Sequence, residues 1–212
     1  IAQGVSMKSV AIVDDHPVVC AAVKLVLERE GFKRIHEASS VGEASVIFRD
    51  QNVHLVILDL VMPGGNGLDV LERIKASNLS CVVLVFTSLD PLFFQERCMR
   101  AGALAYVAKT NDLSQLHKSI HALIAGYTYF AQLPSASMDA LSQSEKQMID
   151  KLSNRELTIL QYLARGTTNK AIAEAMHLSH KTVSTYKTRL IEKLGVKAAV
   201  HLRDFAIRNH LI

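Results

Sequence analysis

The chain has 212 residues, 49% of them apolar, which is long for one small domain and enough to build two cores. No apolar run approaches the roughly 18 residues that span a bilayer, and no basic stretch followed by an apolar core marks a signal peptide. Charge is uneven: residues 1–130 hold 12 Lys/Arg against 13 Asp/Glu, residues 131–150 hold 1 against 3, and residues 151–212 hold 11 against 4. The net +4 therefore arises in the last segment alone, the electrostatic footprint of a nucleic-acid module joined to a near-neutral one.

Residues 1–6 precede Met7, which reads as the natural start, and are set aside as an appended segment. Residues 9–13 form a first buried strand, ending at Asp14-Asp15. Pro17 suits a first helical turn, and Val18, Val19, Ala22, Val23, Val26 and Leu27 then recur at helical spacing until Gly31. A shorter strand spans 33–38 and a second helix 40–48. Val53-His54-Leu55-Val56-Ile57-Leu58 then runs into a single acid, Asp59, and a Pro/Gly-rich loop. The run is too short for a helix and contains β-branched residues, so it reads as a buried parallel strand. A third helix begins over 67–74, with Leu68, Leu71 and Ile74 inward. A strand over 81–86 ends at Thr87, and a helix over 91–100 is closed by Gly102. A strand over 103–108 ends at Lys109, and a last amphipathic helix, 113–124, is closed by Gly126. This alternation implies an α/β domain over residues 7–126, with a five-stranded parallel, flavodoxin-like doubly wound sheet.

Right-handed crossovers bring all five carboxyl ends to one edge. Asp14, Asp15, Asp59, Thr87 and Lys109 would stand there, drawn from four strands. Each has a duller reading: paired acids favour a helix start, and a lone Asp, Thr or Lys at a strand end is commonplace. Their agreement is what carries the expectation. Three close carboxylates need a compensating cation, and Mg²⁺ takes oxygen ligands while keeping several waters. Asp15 and Asp59 are assigned as direct ligands, Asp14 as a ligand through water, and the carbonyl of Val61 as another. Asp59 is also the expected nucleophile, accepting a phosphoryl group. Lys109 would pair with that phosphate, and the Thr87 hydroxyl would donate to it as a switch.

His16 could be a ligand but reads rather as a cap of the helix start. His117 and His121 share a helix face at i, i+4; with no third ligand in view, a zinc site is not expected there. Cys20, Cys81 and Cys98 are odd in number and lack ligand spacing, so they read as buried thiols of a reducing cytoplasm.

Residues 127–149, with Pro134, Ser135, Ser137, Ser142 and Ser144, read as a linker, part of it (141–152) helical. Residues 150–212 read as an all-α four-helix domain. Ser153 caps a helix, Glu156 reaches back, and Leu152 staples onto Leu157; Gly166 ends that helix. A short helix over 169–176, the turn His177-Leu178-Ser179 and a basic helix over 180–194 make a helix-turn-helix; 197–208 form a fourth helix. In the helix over 180–194, Val183, Tyr186, Leu190 and Leu194 make the inward stripe. On the other faces, Lys181, Lys187 and Arg189 suit phosphates, Ser184, Thr185 and Thr188 suit base edges, and Thr182 joins the DNA-binding set. The bland reading is an ordinary amphipathic surface helix.

Asp14-Asp15, Asp59 with Met62-Pro63-Gly64, Thr87-Ser88 and Tyr106 three before Lys109 resemble the receiver domain of bacterial two-component response regulators. That resemblance implies phosphoryl transfer to Asp59 from a sensor histidine kinase or phosphotransfer domain. It also implies that Tyr106 turns inward as Thr87 closes on the phosphate. The sequence departs from the family at Asn66-Gly67, where Asp-Gly is frequent, and at Lys109-Thr110, where Lys-Pro with a cis bond is frequent. Leu152-Ser153-Asn154-Arg155-Glu156, Gly166, Asn169-Lys170, Ile172-Ala173 and Lys181-Thr182-Val183-Ser184 resemble the LuxR-type module of the NarL/FixJ regulators. Here the departures are Ser184 for a frequent Lys and Ala171 for a frequent Glu. Gly126-Tyr127-Thr128-Tyr129-Phe130 and Val183-Ser184-Thr185-Tyr186-Lys187-Thr188-Arg189-Leu190 are similar to the BvgA/EvgA group, which implies a multistep phosphorelay.

The expected function is thus a cytoplasmic, phosphorylation-switched transcription factor that is a homodimer on duplex DNA when activated, with no membrane partner. One competing reading is a Mg²⁺-dependent phosphatase of the haloacid-dehalogenase sort. That class resembles Asp-x-Asp, whereas Leu60 and Val61 follow Asp59, so no general acid stands two residues on. The other competing reading is a receiver with an RNA-binding output.

Overall fold

The structure, a computed structural model, describes residues 9–62, 65–77, 79–109, 113–132, 143–209 and 211–212. The segment before Met7, Pro63-Gly64, the loop at Thr110 and much of the expected linker lie outside them. The chain divides into two units, one ending at Gln132 and the other beginning at Leu133.

The first unit alternates strand and helix as the hydrophobic runs require. Its elements are β1 (Ser9–Val13), α1 (Pro17–Arg29), β2 (Arg34–Ala38), α2 (Val41–Asp50), β3 (Leu55–Leu58), β4 (Val61–Met62), β5 (Gly65–Asn66), α3 (Gly67–Ala76), β6 (Val82–Thr87), α4 (Pro91–Arg100), β7 (Ala105–Ala108) and α5 (Ser114–Ile124). The main sheet is parallel throughout, in the order β2-β1-β3-β6-β7. The order reverses between β1 and β3, and such a switch point opens a crevice at the strands' carboxyl ends.

Alternation along the strands divides the core. Val10, Ile12, Leu55, Ile57, Leu84, Phe86, Ala105 and Val107 share one cluster with Val23, Val26 and Leu27 of α1 and Leu116, Ile120 and Leu123 of α5. The side chains that α2, α3 and α4 bury are absent from that cluster and belong to the opposite face. Caps match the sequence: Ser40 accepts from the Glu43 amide, and Asp90 from the Leu92 amide before Pro91.

Three details differ from expectation. Val18 lies on the outer side of α1, 83% exposed, because apolar spacing alone does not rank the residues of a broad stripe. The loop after Asp59 contains a two-residue antiparallel ladder, β4 on β5. Residues 127–132, expected in the linker, are tied to the first unit. Tyr129 continues the sheet beyond β7, donating to the Leu104 carbonyl and accepting from the Tyr106 amide, each at 3.0 Å. The buried Gln95 side chain grips Ala131 from both ends of its amide, at 2.9 Å each. An open sheet edge needs cover, and this segment supplies it for β7.

The second unit is helical: α6 (Gln143–Asp150), α7 (Asn154–Ala164), α8 (Asn169–Ala175), α9 (His180–Lys193) and α10 (Val200–Arg208). The expected helix within the linker is present as α6, bound by its Glu145 to Arg208 of α10. The fourth expected helix starts at Val200 rather than residue 197, with no side-chain cap. Leu157, Ile159, Leu160, Ile172, Val183, Leu190, Leu202, Phe205 and Ala206 fill its core.

Candidate functional site

The carboxyl ends of β1, β3 and β7 bring Asp14, Asp59 and Lys109 together. Asp14 and Asp59 are 4% and 2% exposed, and Lys109 Nζ lies 2.7 Å from Asp14 Oδ2 and 2.6 Å from Asp59 Oδ2. Asp15 is partly exposed and joins the cluster: Asp14, Asp15, His16 and Asp59 each present a ligand atom within 4.8 Å of the others. The Oδ1 of Asp15 is buried and makes no well-formed hydrogen bond; its near polar neighbour is His16 Nδ1 at 3.0 Å. Three acids thus share one edge with a single lysine.

Burial pushes the Asp59 carboxyl above the usual range, and the Asp14 carboxylate adds to this; Lys109 and a hydrogen bond from Thr87 pull the other way. Burial works to lower the Lys109 amine, but Asp59 and Asp14 outweigh it and hold it above its ordinary value. Three carboxylates converging on one edge, with a single lysine against them, fit a hard divalent ion.

His16 is at the N-cap position of α1, but its side chain caps nothing. Its Nδ1 instead sits 3.1 Å from Asp14 and 3.0 Å from Asp15, because the carboxylates outcompete the helix amides for the ring. Val61 lies two residues beyond Asp59, and its amide donates to Asp59 Oδ1 at 3.2 Å. Thr87 is fully buried, its Oγ1 accepting from the Leu89 amide at 3.5 Å. Tyr106 is turned inward and buried, its hydroxyl donating to the Leu89 carbonyl at 2.9 Å. That carbonyl belongs to the same loop that Thr87 engages, so the two residues share one segment.

Sequence named Gly67 at the start of the third helix and in the Asn66-Gly67 pair, but gave it no role in the site. A Cβ there would lie 2.2 Å from the Asp59 carbonyl oxygen and 2.7 Å from Leu60 Cα. Its amide donates to the Leu60 carbonyl at 3.0 Å, clamping the acceptor loop. A glycine directly after Asn66 at a helix start was the available signal. Cys20 and Cys98 are buried and Cys81 is half-buried; burial pushes their thiols up to about 11, 12 and 11 respectively, so none is primed as a nucleophile.

In the second unit the turn between α8 and α9 forms as a tight reversal. His177 takes a left-handed backbone, φ 50°, and the Ser179 hydroxyl accepts from the Thr182 amide at 3.0 Å. Thr182 Oγ1 is 2.7 Å from the Ser179 hydroxyl, so this expected DNA contact is engaged in the cap. Thr168 caps α8 alone, as the alanine at 171 requires. On α9, Val183 and Leu190 are buried, and Lys181, Thr185, Thr188 and Arg189 are exposed. Ser184 and Lys187 are half-buried, and Asn169 Nδ2 reaches Ser184 Oγ at 3.4 Å. The Thr185 and Thr188 hydroxyls donate to the Lys181 and Ser184 carbonyls, which leaves their oxygens as acceptors.

The α7 start holds this module together. Glu156 accepts from the Ser153 amide at 2.7 Å and from Lys193 of α9 at 2.8 Å. Burial works to raise the Glu156 carboxyl, but these bonds hold it below its ordinary range. Glu156→Gln is therefore expected to cost the helical unit about 1 kcal/mol at neutral pH. A carboxyl lowered in the folded state contributes fully above about pH 4.3 and loses that contribution as pH falls through its depressed value. Urea melts should show wild type and variant converging in acid.

An acidic sheet edge on a 2-1-3-4-5 parallel sheet, followed by a helix-turn-helix unit, is the plan of a DNA-binding response regulator. The chain belongs to that family: it matches the response regulator receiver domain over residues 10–121 and the bacterial regulatory proteins of the luxR family over 150–206. It is a two-component response regulator of the NarL/FixJ type. The virulence-factor transcription regulator BvgA of Bordetella pertussis is 44% identical over 204 residues, covering 95% of this chain and 98% of that one. The DNA-binding transcriptional activator EvgA of Escherichia coli K12 is 34% identical over 200 residues, covering 94% and 98%. Among solved structures, RcsB of Salmonella enterica serovar Typhimurium, bound to promoter rprA with a phosphomimetic, superposes with a TM-score of 0.62 at 25% identity, covering 93% and 98%. These relatives are regulators rather than classical enzymes. Among the described residues, no helix is long and apolar enough to cross a membrane.

Proposed function

We propose that Asp59 accepts a phosphoryl group from a sensor histidine kinase or phosphotransfer domain, and that this event controls dimerisation and sequence-specific binding to duplex DNA in the cytoplasm. The reading is supported above all by the meeting of Asp14, Asp15, Asp59 and Lys109 at one buried edge. The names of BvgA and EvgA and the DNA-bound form of RcsB support the output.

In this reading an Asp59 carboxylate oxygen attacks phosphorus, and the P–N bond of the donor phosphohistidine breaks with its electron pair returning to the imidazole. The product is an aspartyl-phosphate, and later hydrolysis restores Asp59. The chain catalyses only these steps on itself. Asp14, Asp15, Asp59 and the Val61 carbonyl would hold Mg²⁺, which would supply positive charge against the phosphoryl oxygens. Lys109 moves from its two carboxylates towards the new phosphate, and Thr87 donates its hydroxyl to it. Tyr106, already inward and bonded to the Leu89 carbonyl, holds that loop where Thr87 engages it. On DNA, Lys181, Lys187 and Arg189 neutralise phosphates, while Ser184, Thr185 and Thr188 face base edges and Thr182 holds the helix start.

Acetyl phosphate with Mg²⁺ tests the switch. Wild type should gain one phosphoryl mass, shift towards dimer and retain operator DNA more strongly. Asp59→Asn, or wild type with EDTA, should show none of these. Steady release of phosphate from added esters would instead favour the phosphatase reading, and preference for single-stranded RNA the RNA reading. For the interface, Lys181→Ala should weaken binding across all sequences and reduce the slope of log K against log salt by about 1.

A further inference from the structure

Away from the acidic edge, two histidines that looked unpartnered in sequence converge on one carboxylate. His117 and His121 stand one turn apart on α5, their ring centroids 4.8 Å apart. Glu30, the C-cap of α1, places its side chain between them, only 10% exposed. Its Oε1 lies 2.7 Å from His117 Nε2, and its Oε2 lies 3.0 Å from His121 Nε2. All three residues offer a ligand atom within 4.8 Å of the others. The sequence hid the third ligand because it lies more than eighty residues away, on the other helix of the same sheet face.

We propose that Glu30, His117 and His121 form a second metal site, selective for a borderline transition ion such as Zn²⁺. The donor set is two imidazoles and one carboxylate. It suits Zn²⁺, Ni²⁺ or Cu²⁺ and is poor for Mg²⁺, so it differs in kind from the edge of three carboxylates. Two histidines at i, i+4 on a helix present both rings to one point, and a carboxylate makes three protein ligands with water as the fourth. Without an ion, Glu30 already bridges the two rings through Nε2, so an ion would enter an arrangement already formed. Both histidines are at least half exposed, which gives the ion an entry path. The bound ion joins the end of α1 to α5, the helices whose Val26, Leu27, Leu116 and Ile120 share the core beneath.

The test uses the full chain with excess Mg²⁺, added to compete the transition ion away from the acidic edge. Zn²⁺ calorimetry should show one saturable equivalent, and Co²⁺ should give visible bands of a low-symmetry nitrogen–oxygen site. His121→Gln and Glu30→Gln should each weaken binding by more than about tenfold, since loss of an outer partner alone costs that much. Zn²⁺ should raise the receiver melting temperature by several degrees in wild type and not in Glu30→Gln, because a ligand stabilises only the state that binds it. Phosphorylation of His121→Gln by acetyl phosphate should be unchanged, separating this site from Asp59. Absence of a one-to-one complex in wild type, or equal binding by wild type and both variants, would leave only a His–Glu ion-pair cluster and overturn the proposal.

Discussion

Lys109→Ala is expected to destabilise the receiver unit by about 3–5 kcal/mol at neutral pH, because it strips the cation from two buried carboxylates. Asp14 and Asp59 each lean on that one amine, at 2.7 Å and 2.6 Å. Once it is gone, one carboxylate must take up a proton or remain unpaired in an apolar surround. The pH dependence follows from the raised Asp59 carboxyl. A carboxyl raised in the folded state favours folding while it is protonated, and that advantage disappears as pH rises through its folded value. The deficit of the variant should therefore shrink towards acid pH and be largest at neutral pH. Urea midpoints across that range check this, and added Mg²⁺ should recover part of the loss at neutral pH. A midpoint unchanged at pH 7 would mean that Lys109 does not neutralise this pair.

Gly67→Ala carries the second large effect, and it strikes geometry rather than charge. The new methyl would sit 2.2 Å from a backbone oxygen of Asp59 and 2.7 Å from Leu60 Cα. No rotamer relieves a clash with backbone, so the acceptor loop must shift. Overpacking of this kind costs about 1–3 kcal/mol. Displacing a reacting group by about 1 Å can cost roughly 100-fold in rate. Phosphorylation by acetyl phosphate should slow on that scale while the chain stays folded, and circular dichroism separates the two effects. A variant phosphorylated at the wild-type rate would show that the loop position does not matter.

Sequence carried the sheet edge because each strand is a short apolar run with its functional residue next to its end. Periodicity places such a residue without knowledge of its partners, so Asp14, Asp59, Thr87 and Lys109 were legible one strand at a time. The capping box at Ser153 and Glu156 was legible for the same reason: its bonds span three residues. Lys193, which completes that site from α9, was not. Gly67 escaped because a close approach of backbones leaves no mark in hydropathy. His16 was misread because its competitors for hydrogen bonds are the acids beside it rather than the helix. Residues 127–132 looked like linker by composition, yet their backbone donors and acceptors find β7, which no side-chain pattern announces. The roles of individual side chains on α9 rest on exposure alone, since base readout depends on a partner surface that the chain does not encode.

The tie between Tyr129 and β7 has a practical consequence for anyone cutting this protein in two. A receiver fragment that stops at residue 126, where helical periodicity ends, would strip the Leu104 carbonyl and Tyr106 amide of their partners. It would leave Ala105–Ala108 as a bare, apolar template for strands of other molecules. Such a fragment should precipitate on concentration, whereas one carried through Gln132 keeps its border sealed.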